Sequence, residues 1–294
     1  METAGHQHST AVASDGVGGW VAAWAHREGE LGQPTSIRAR RLGFARPCEG
    51  LCLDGRFSVT VSWEDFQGNR GVGQPVVRGD DWGTFWFFHP DNVELAVKVL
   101  DARTVDGRFW VFAGALSNVE YRLTVTDVVT GLRTVWVNPA GTFLSRADTA
   151  TFLAAHEVLP GAGAAAAAPG APRRPAPPLT LAPCAAGPAC LHGDRFAVEV
   201  RWQDFSGNQG IGTVLPLTTD SVWVTFFHPG NPELIVKLLD GTPVNGHFWV
   251  FYASLSNVEF TLTLTDRLTG EQAVYGNPSG TFASRGDAAA FPAP

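Results

Sequence analysis

At 294 residues the chain has room for two or three domains that each bury a core, and 45% hydrophobic with 17% charged residues is a globular composition. A net charge of −7, with 21 Lys and Arg dispersed along the chain, supplies no basic patch for a phosphate backbone and argues against a nucleic-acid partner. No apolar run approaches the roughly 18 residues a membrane-spanning helix needs, so no membrane span is expected.

Ten Trp and nineteen Phe stand against one Met and three Tyr, so cores must be built from Phe, Trp, Val and Leu, which favours strands over helices. The first segment, residues 1–46, begins METAGHQHSTAVASDG and has neither the basic nor the apolar region of a secretory leader. It reads as a short β-meander of three strands with a tight turn at Asp15-Gly16.

Four cysteines follow in two local pairs, Cys48 with Cys52 and Cys184 with Cys190, each just ahead of a strand-rich block. Two short disulfides are the expectation. Loops this small stabilise by only about 2 kcal/mol or less, so each bridge would pin a leading loop rather than hold a fold. The rival arrangement, one zinc bound by all four thiolates, has spacings unlike the common zinc knuckles. Disulfides in a chain without a leader point to the C-terminal part of a longer secreted protein.

Residues 56–152 align with 195–291 without a gap, about half the positions being identical. RFSVTVSWEDFQGNRGVG answers RFAVEVRWQDFSGNQGIG, and GRFWVFAGALSNVEYRLTVTDVVTG answers GHFWVFYASLSNVEFTLTLTDRLTG. Within a copy the period is two. Phe57, Val59, Val61 and Trp63 alternate with Ser58, Thr60 and Ser62, and Val119, Tyr121, Leu123 and Val125 alternate with polar neighbours. Further strands are expected near 83–88, 94–101, 107–115 and 133–137. The fold class is therefore all-β, with an antiparallel sandwich or a small barrel open to each copy; since nothing in the sequence shows closure, the expectation is two tandem antiparallel β-sandwiches of immunoglobulin-like size, about seven strands each, at 47–155 and 184–294. Between them, the Ala/Pro-rich stretch 156–183 reads as a semi-rigid spacer, giving two beads on a string.

The N-terminal stretch, with A-x-D-x-x-G-x-x-V-x-x-W, resembles a single unit of the propeller-like repeats of large secreted bacterial proteins. The duplicated block, with F-x-V-x-V-x-W-x-D-F-x-G-N, N-G-x-F-W-V-F and L-S-N-V-E-Y, resembles an uncharacterised module placed near the C-terminus of such proteins. What the resemblance implies is an extracellular or cell-surface setting; it carries no assigned activity.

Several constellations are candidates for chemistry. FFHPDNVEL and its counterpart FFHPGNPEL place His89 with Glu94 and His228 with Glu233; with Asp91 these could ligate a transition metal, while HPDN also reads as a plain turn between strands. Asp65 with Asn69, and Asp204 with Asn208, offer hard oxygen ligands for Ca2+ in a glycine-rich turn, though fewer than the six to eight calcium takes. Trp86 with Trp110, and Trp223 with Trp249, could present aromatic faces to a glycan or a protein; the alternative is a strand covered on both sides. Lys98 and Glu94 lie too far apart along one strand to pair. No G-x-S-x-G, H-E-x-x-H or activated cysteine is present, so no catalytic residue and no required cofactor is expected. The leading expectation is a non-catalytic extracellular recognition or adhesion module binding a protein or glycan with two copies. The alternatives are a metal-dependent enzyme centred on His89 and His228, and a protease inhibitor.

Overall fold

The computed structural model describes residues 6–14, 20–27, 35–42, 48–153 and 190–293. Two compact units are distinguished: one built on the N-terminal strands, the other containing both copies of the duplication. In the first unit, β1 (His6–Ser14), β2 (Trp20–Arg27) and β3 (Thr35–Leu42) form a three-stranded antiparallel sheet in the order β1-β2-β3, the meander the sequence predicts. The Asp15-Gly16 turn, the 156–183 spacer and Cys184 lie outside the described residues.

Repeat 1 runs through β4 (Leu51–Leu53), β5 (Phe57–Glu64), β6 (Arg70–Val72), β7 (Gln74–Val77), β8 (Trp82–Trp86), β9 (Leu95–Ala102), β10 (Arg108–Ala115), β11 (Glu120–Asp127), β12 (Arg133–Asn138) and β13 (Ser145–Leu153). One helical turn, α1 (Arg103–Asp106), links β9 to β10. Repeat 2 retraces this path through β14 (Cys190–Leu191), β15 (Phe196–Gln203), β16 (Gln209–Ile211), β17 (Thr213–Pro216), β18 (Ser221–Thr225), β19 (Leu234–Gly241), α2 (Thr242–Asn245), β20 (His247–Ser254), β21 (Glu259–Asp266), β22 (Gln272–Asn277) and β23 (Ser284–Pro292). The described strands outnumber the expected seven per repeat because the short pieces β4, β6 and β7 and the polar edge strand β13 carry too little alternation to register as strands.

Each repeat is a sandwich of two antiparallel sheets. In repeat 1 the first sheet has the order β12-β11-β5-β4, with β6 also paired to β5, and the second has the order β13-β10-β9-β8-β7. Phe57, Val59, Val61, Tyr121, Leu123 and Val125 of the first sheet meet Phe85, Leu95, Val97, Val99, Phe109 and Val111 of the second in one buried core. The corresponding residues of repeat 2 build an equivalent core. Pro75 and Pro216 sit on the edge strands β7 and β17, where a missing donor costs no ladder bond. Arg56 closes the end of its sandwich with two bonds to the buried Asp127 (Nε to Oδ1 2.9 Å, Nη2 to Oδ2 2.6 Å), and Arg195 does the same for Asp266. Cys48 and Cys52 are bonded (S–S 2.08 Å), and Cys190 is also in a disulfide.

The picture of two separate beads does not hold. The outer faces of the β7–β10/β13 and β17–β20/β23 sheets pack on each other, forming a third buried cluster drawn from both repeats. Trp82, Ala96, Phe112 and Leu116 of repeat 1 contribute to it, as do Leu217, Ile235, Ala253 and Leu255 of repeat 2. The contacts are reciprocal. Phe112 packs on Phe282 (5.9 Å between centroids), and its counterpart Phe251 packs on Phe143 (6.0 Å), as a pseudo-two-fold relation requires. A composition-based spacer argument could not foresee this, since it weighs the linker and not the sheet faces.

Among the described residues no helix is long and apolar enough to cross a membrane.

Candidate functional site

The loop FFHPDNVEL, between β8 and β9, does two jobs at once. Its turn is closed by Asn92 N–H to the His89 carbonyl (3.0 Å), and the His89 ring accepts from Asp91 N–H through Nδ1 (3.3 Å). In repeat 2 Asn231 and Gly230 make the same two bonds to His228 (3.0 and 3.2 Å). His89 and His228 are exposed, whereas Glu94 and Glu233 are 2% exposed. Glu94 accepts from the Phe87 amide and from Asn92 Nδ2 (2.9 Å); Glu233 accepts from the Phe226 amide and Asn231 Nδ2 (2.7 Å). The metal candidates are thus divided, with an imidazole in solvent and a carboxylate engaged inside. Asp91 lies beside His89 (Nδ1 to Oδ2 3.9 Å), but among the described residues no three His, Cys, Asp or Glu side chains gather as a ligand set.

What the buried carboxylates face is the other repeat. Lys237 Nζ donates to Asn92 Oδ1 (2.8 Å) and to the Val93 carbonyl (2.8 Å). Lys98 Nζ donates to Asn231 Oδ1 (2.8 Å) and to the Pro232 carbonyl (2.7 Å). Each chain of bonds therefore runs lysine to asparagine to glutamate to the backbone of the aromatic pair. Position 232 can be proline because the lysine uses its carbonyl and not its amide. Lys98 and Glu94 do not pair within a repeat; each finds its opposite charge across the seam. Burial pushes both lysines down to about 8, against the pull of Glu233 on Lys98 and of Glu94 on Lys237. Burial likewise raises Glu94 to about 7 and raises Glu233, with the facing lysine opposing the shift in both.

In the calcium candidates the carboxylate oxygens are taken by their own turn. Asp65 Oδ1 accepts from the amides of Gln67 (2.9 Å) and Asn69 (2.8 Å), and Oδ2 accepts from Asn69 Nδ2 (2.8 Å). Asp204 accepts from Ser206, Asn208 and the Asn208 side chain in the same geometry. The side-chain bond from the asparagine holds each carboxyl below the usual carboxylate range. Asn69 and Asn208 present amide donors to the aspartate, so the arrangement shapes the β5–β6 and β15–β16 turns.

The four candidate tryptophans are half-buried, and they part company. Trp223 packs on Trp82 (5.0 Å between centroids) inside the seam between repeats. Trp110 packs against the same seam and donates Nε1–H to Asp106 (3.0 Å). Trp249 donates to Asn245 (2.9 Å), and its ring lies over Gly241, where a Cβ would come within 2.1 Å of it. Trp86 stands at the end of β8.

The exposed aromatic surface lies elsewhere. Phe88 and Phe227 are 48% and 54% exposed, and each meets the edge of a half-buried indole, Trp63 or Trp202, at 4.8 Å. Those indoles lie over Gly71 and Gly210, where a Cβ would approach within 2.4 Å, so the neighbouring short strand must be glycine there. The same hairpins carry Phe66 and Phe205 at their turns (60% and 65% exposed) and Val72 and Ile211 on β6 and β16 (64% and 65%). In repeat 2, Arg201, Trp202, Gln203, Gln209, Ile211 and Glu259 line a cleft of about 320 Å³. Strand alternation missed these residues because Trp63 falls on the core-facing phase and the phenylalanines fall in turns. The signal available was the recurrence of Phe in otherwise polar turn sequences, DFQGN/DFSGN and FFHP/FFHP.

No family model, curated protein or solved structure matches the chain.

Proposed function

We propose that the chain is a non-catalytic recognition module of an extracellular bacterial protein, binding a protein or glycan surface through twin aromatic sites. Trp63, Phe66, Val72 and Phe88 form one site, and Trp202, Phe205, Ile211 and Phe227 form the other. The observation that carries this reading is the retention of half-exposed or more exposed apolar side chains at equivalent positions of both copies. Exposed Phe costs solubility and contributes nothing to a core, so its recurrence in a polar turn calls for a contact. An indole flanked by Arg201, Gln203, Gln209 and Glu259 has the mixture of a flat apolar face and hydrogen-bonding groups that suits a sugar ring or a tyrosine-rich surface. The resemblance to modules of secreted bacterial proteins and the disulfides support the extracellular setting.

Two sites on one body gain avidity only where the target matches their fixed separation, since the seam between repeats removes the freedom that independent beads would have. The test is Phe88→Ser/Phe227→Ser in the full chain, titrated against immobilised polysaccharides and extracellular-matrix proteins. The expected outcome is at least a tenfold loss of affinity at unchanged thermal midpoint, with each single variant losing mainly avidity. Retained binding in the double variant, or turnover of any of these probes, would overturn the reading.

A further inference from the structure

The seam between the repeats is not symmetric: equivalent positions of the two copies carry different residues. Gly114 faces its own counterpart Ala253: a Cβ at position 114 would lie 2.9 Å from the Ala253 Cβ and 3.2 Å from the Ser254 carbonyl oxygen. A pair of second repeats meeting in this way would bring two alanine methyls into that space, and methyls fixed to backbone cannot swing aside.

Gly286 is a second glycine at the seam. A Cβ there would come within 2.6 Å of the Phe143 ring. Repeat 1 has Ala147 at the corresponding position, and both Ala147 and Phe282, the counterpart of Phe143, pack in the seam, so a phenylalanine and this methyl are already accommodated there and the position selects little between repeats. The bulky residues are also distributed asymmetrically. Trp82 packs on Trp223 on one side of the seam, and their counterparts Ser221 and Thr84 are small. Like repeats would instead oppose each Trp with a Thr or Ser and lose the indole pair.

We propose that the two sheet faces are a heterospecific docking pair: repeat 1 accepts repeat 2 and each discriminates against its own kind. The partner of either face, within the chain or in trans, is the opposite repeat of this protein. Lys98 and Lys237 supply attachment without selecting between repeats, because Asn92 and Asn231 and the carbonyls beside them are equivalent in both copies. Selection is left to Gly114 and the tryptophans.

Two experiments on the full chain test this. In the first, a protease site placed within residues 160–175 is cut in the folded protein, and the products are equilibrated and weighed by native mass spectrometry. The expected result is a persistent one-to-one complex of the two halves. Separated halves, or a statistical mixture containing both kinds of like pair, would overturn the proposal. The second measures thermal midpoints of Gly114→Ala, Ala253→Gly and the double exchange. Gly114→Ala should lower the midpoint by several degrees, and adding Ala253→Gly should recover most of the loss, since the exchange merely moves the one methyl across the axis. A double variant as unstable as Gly114→Ala alone would show that Gly114 is required by its own sheet, and the pairing rule would fall.

Discussion

The two sheets of repeat 1 share one core, yet their sequences obey different rules. On β5 and β11 every second residue is polar; of the outward set Ser62, Glu120 and Arg122 are exposed, Thr60, Glu64, Thr124 and Thr126 are half-buried, and Ser58 is covered. On β9 five consecutive residues, Leu95 to Val99, are buried, although the fourth is a lysine. The first sheet has one partner, the sandwich core; the second has two, the core and the other repeat. A strand that stops alternating therefore announces a second covered face, and a lone charged residue within it marks where the covering surface offers acceptors.

That contrast can be broken most forcefully at the seam. Trp82→Ala removes a 3%-exposed indole and its contact with Trp223 and should cost about 3 to 5 kcal/mol of unfolding free energy by urea denaturation. Lys237→Met leaves Asn92, the Val93 carbonyl and Glu94 buried without their cation; about 3 to 5 kcal/mol is again expected, and adding Glu94→Gln should return part of it. A milder probe is pH. Glu94 is raised to about 7 and Glu233 is raised in the same direction, so the folded chain holds protons that the unfolded chain has lost, and stability should fall as pH rises from the ordinary glutamate range towards 7. Lys98 and Lys237, lowered to about 8, act oppositely: stability should rise from about pH 8 towards the ordinary lysine value of 10.5. Both slopes should vanish in Glu94→Gln/Glu233→Gln/Lys98→Met/Lys237→Met, whereas each glutamine or methionine pair alone should remove its own limb and extend the other, because the facing charge that opposed the remaining shift is gone. On the outward face of the other sheet, Arg122→Ala should change stability by no more than about 0.5 kcal/mol.

Much of this architecture is legible in the chain. The alternation of Phe57 to Trp63 and of Tyr121 to Val125 predicts strands where β5 and β11 lie, and runs such as FWVF announce burial on both faces of β10. The duplication predicts two equivalent sandwiches. What covers the second face is not legible, because a sheet face is buried equally well by a helix, a partner or a copy of itself. The pairing of Lys98 with acceptors more than a hundred residues away is hidden for the same reason: spacing along one strand excludes Glu94 and is silent about other strands. The HPDN turn is visible from Pro and Asn, but the use of Asn92 as the link between Glu94 and Lys237 needs the fold.

Gly114 and Ala253 bear on how such a molecule diversifies. In a dimer encoded once, a substitution on the two-fold axis is written into both subunits and meets itself, so a methyl added at that place arrives twice and collides. Joining two copies in one reading frame separates those events. One copy can gain the methyl while the other keeps its hydrogen, and indoles can be gathered on a single side as Trp82 and Trp223 are. The duplicated chain is free to explore changes that its symmetric equivalent would have to reject, and the two outward aromatic clusters share that freedom to diverge.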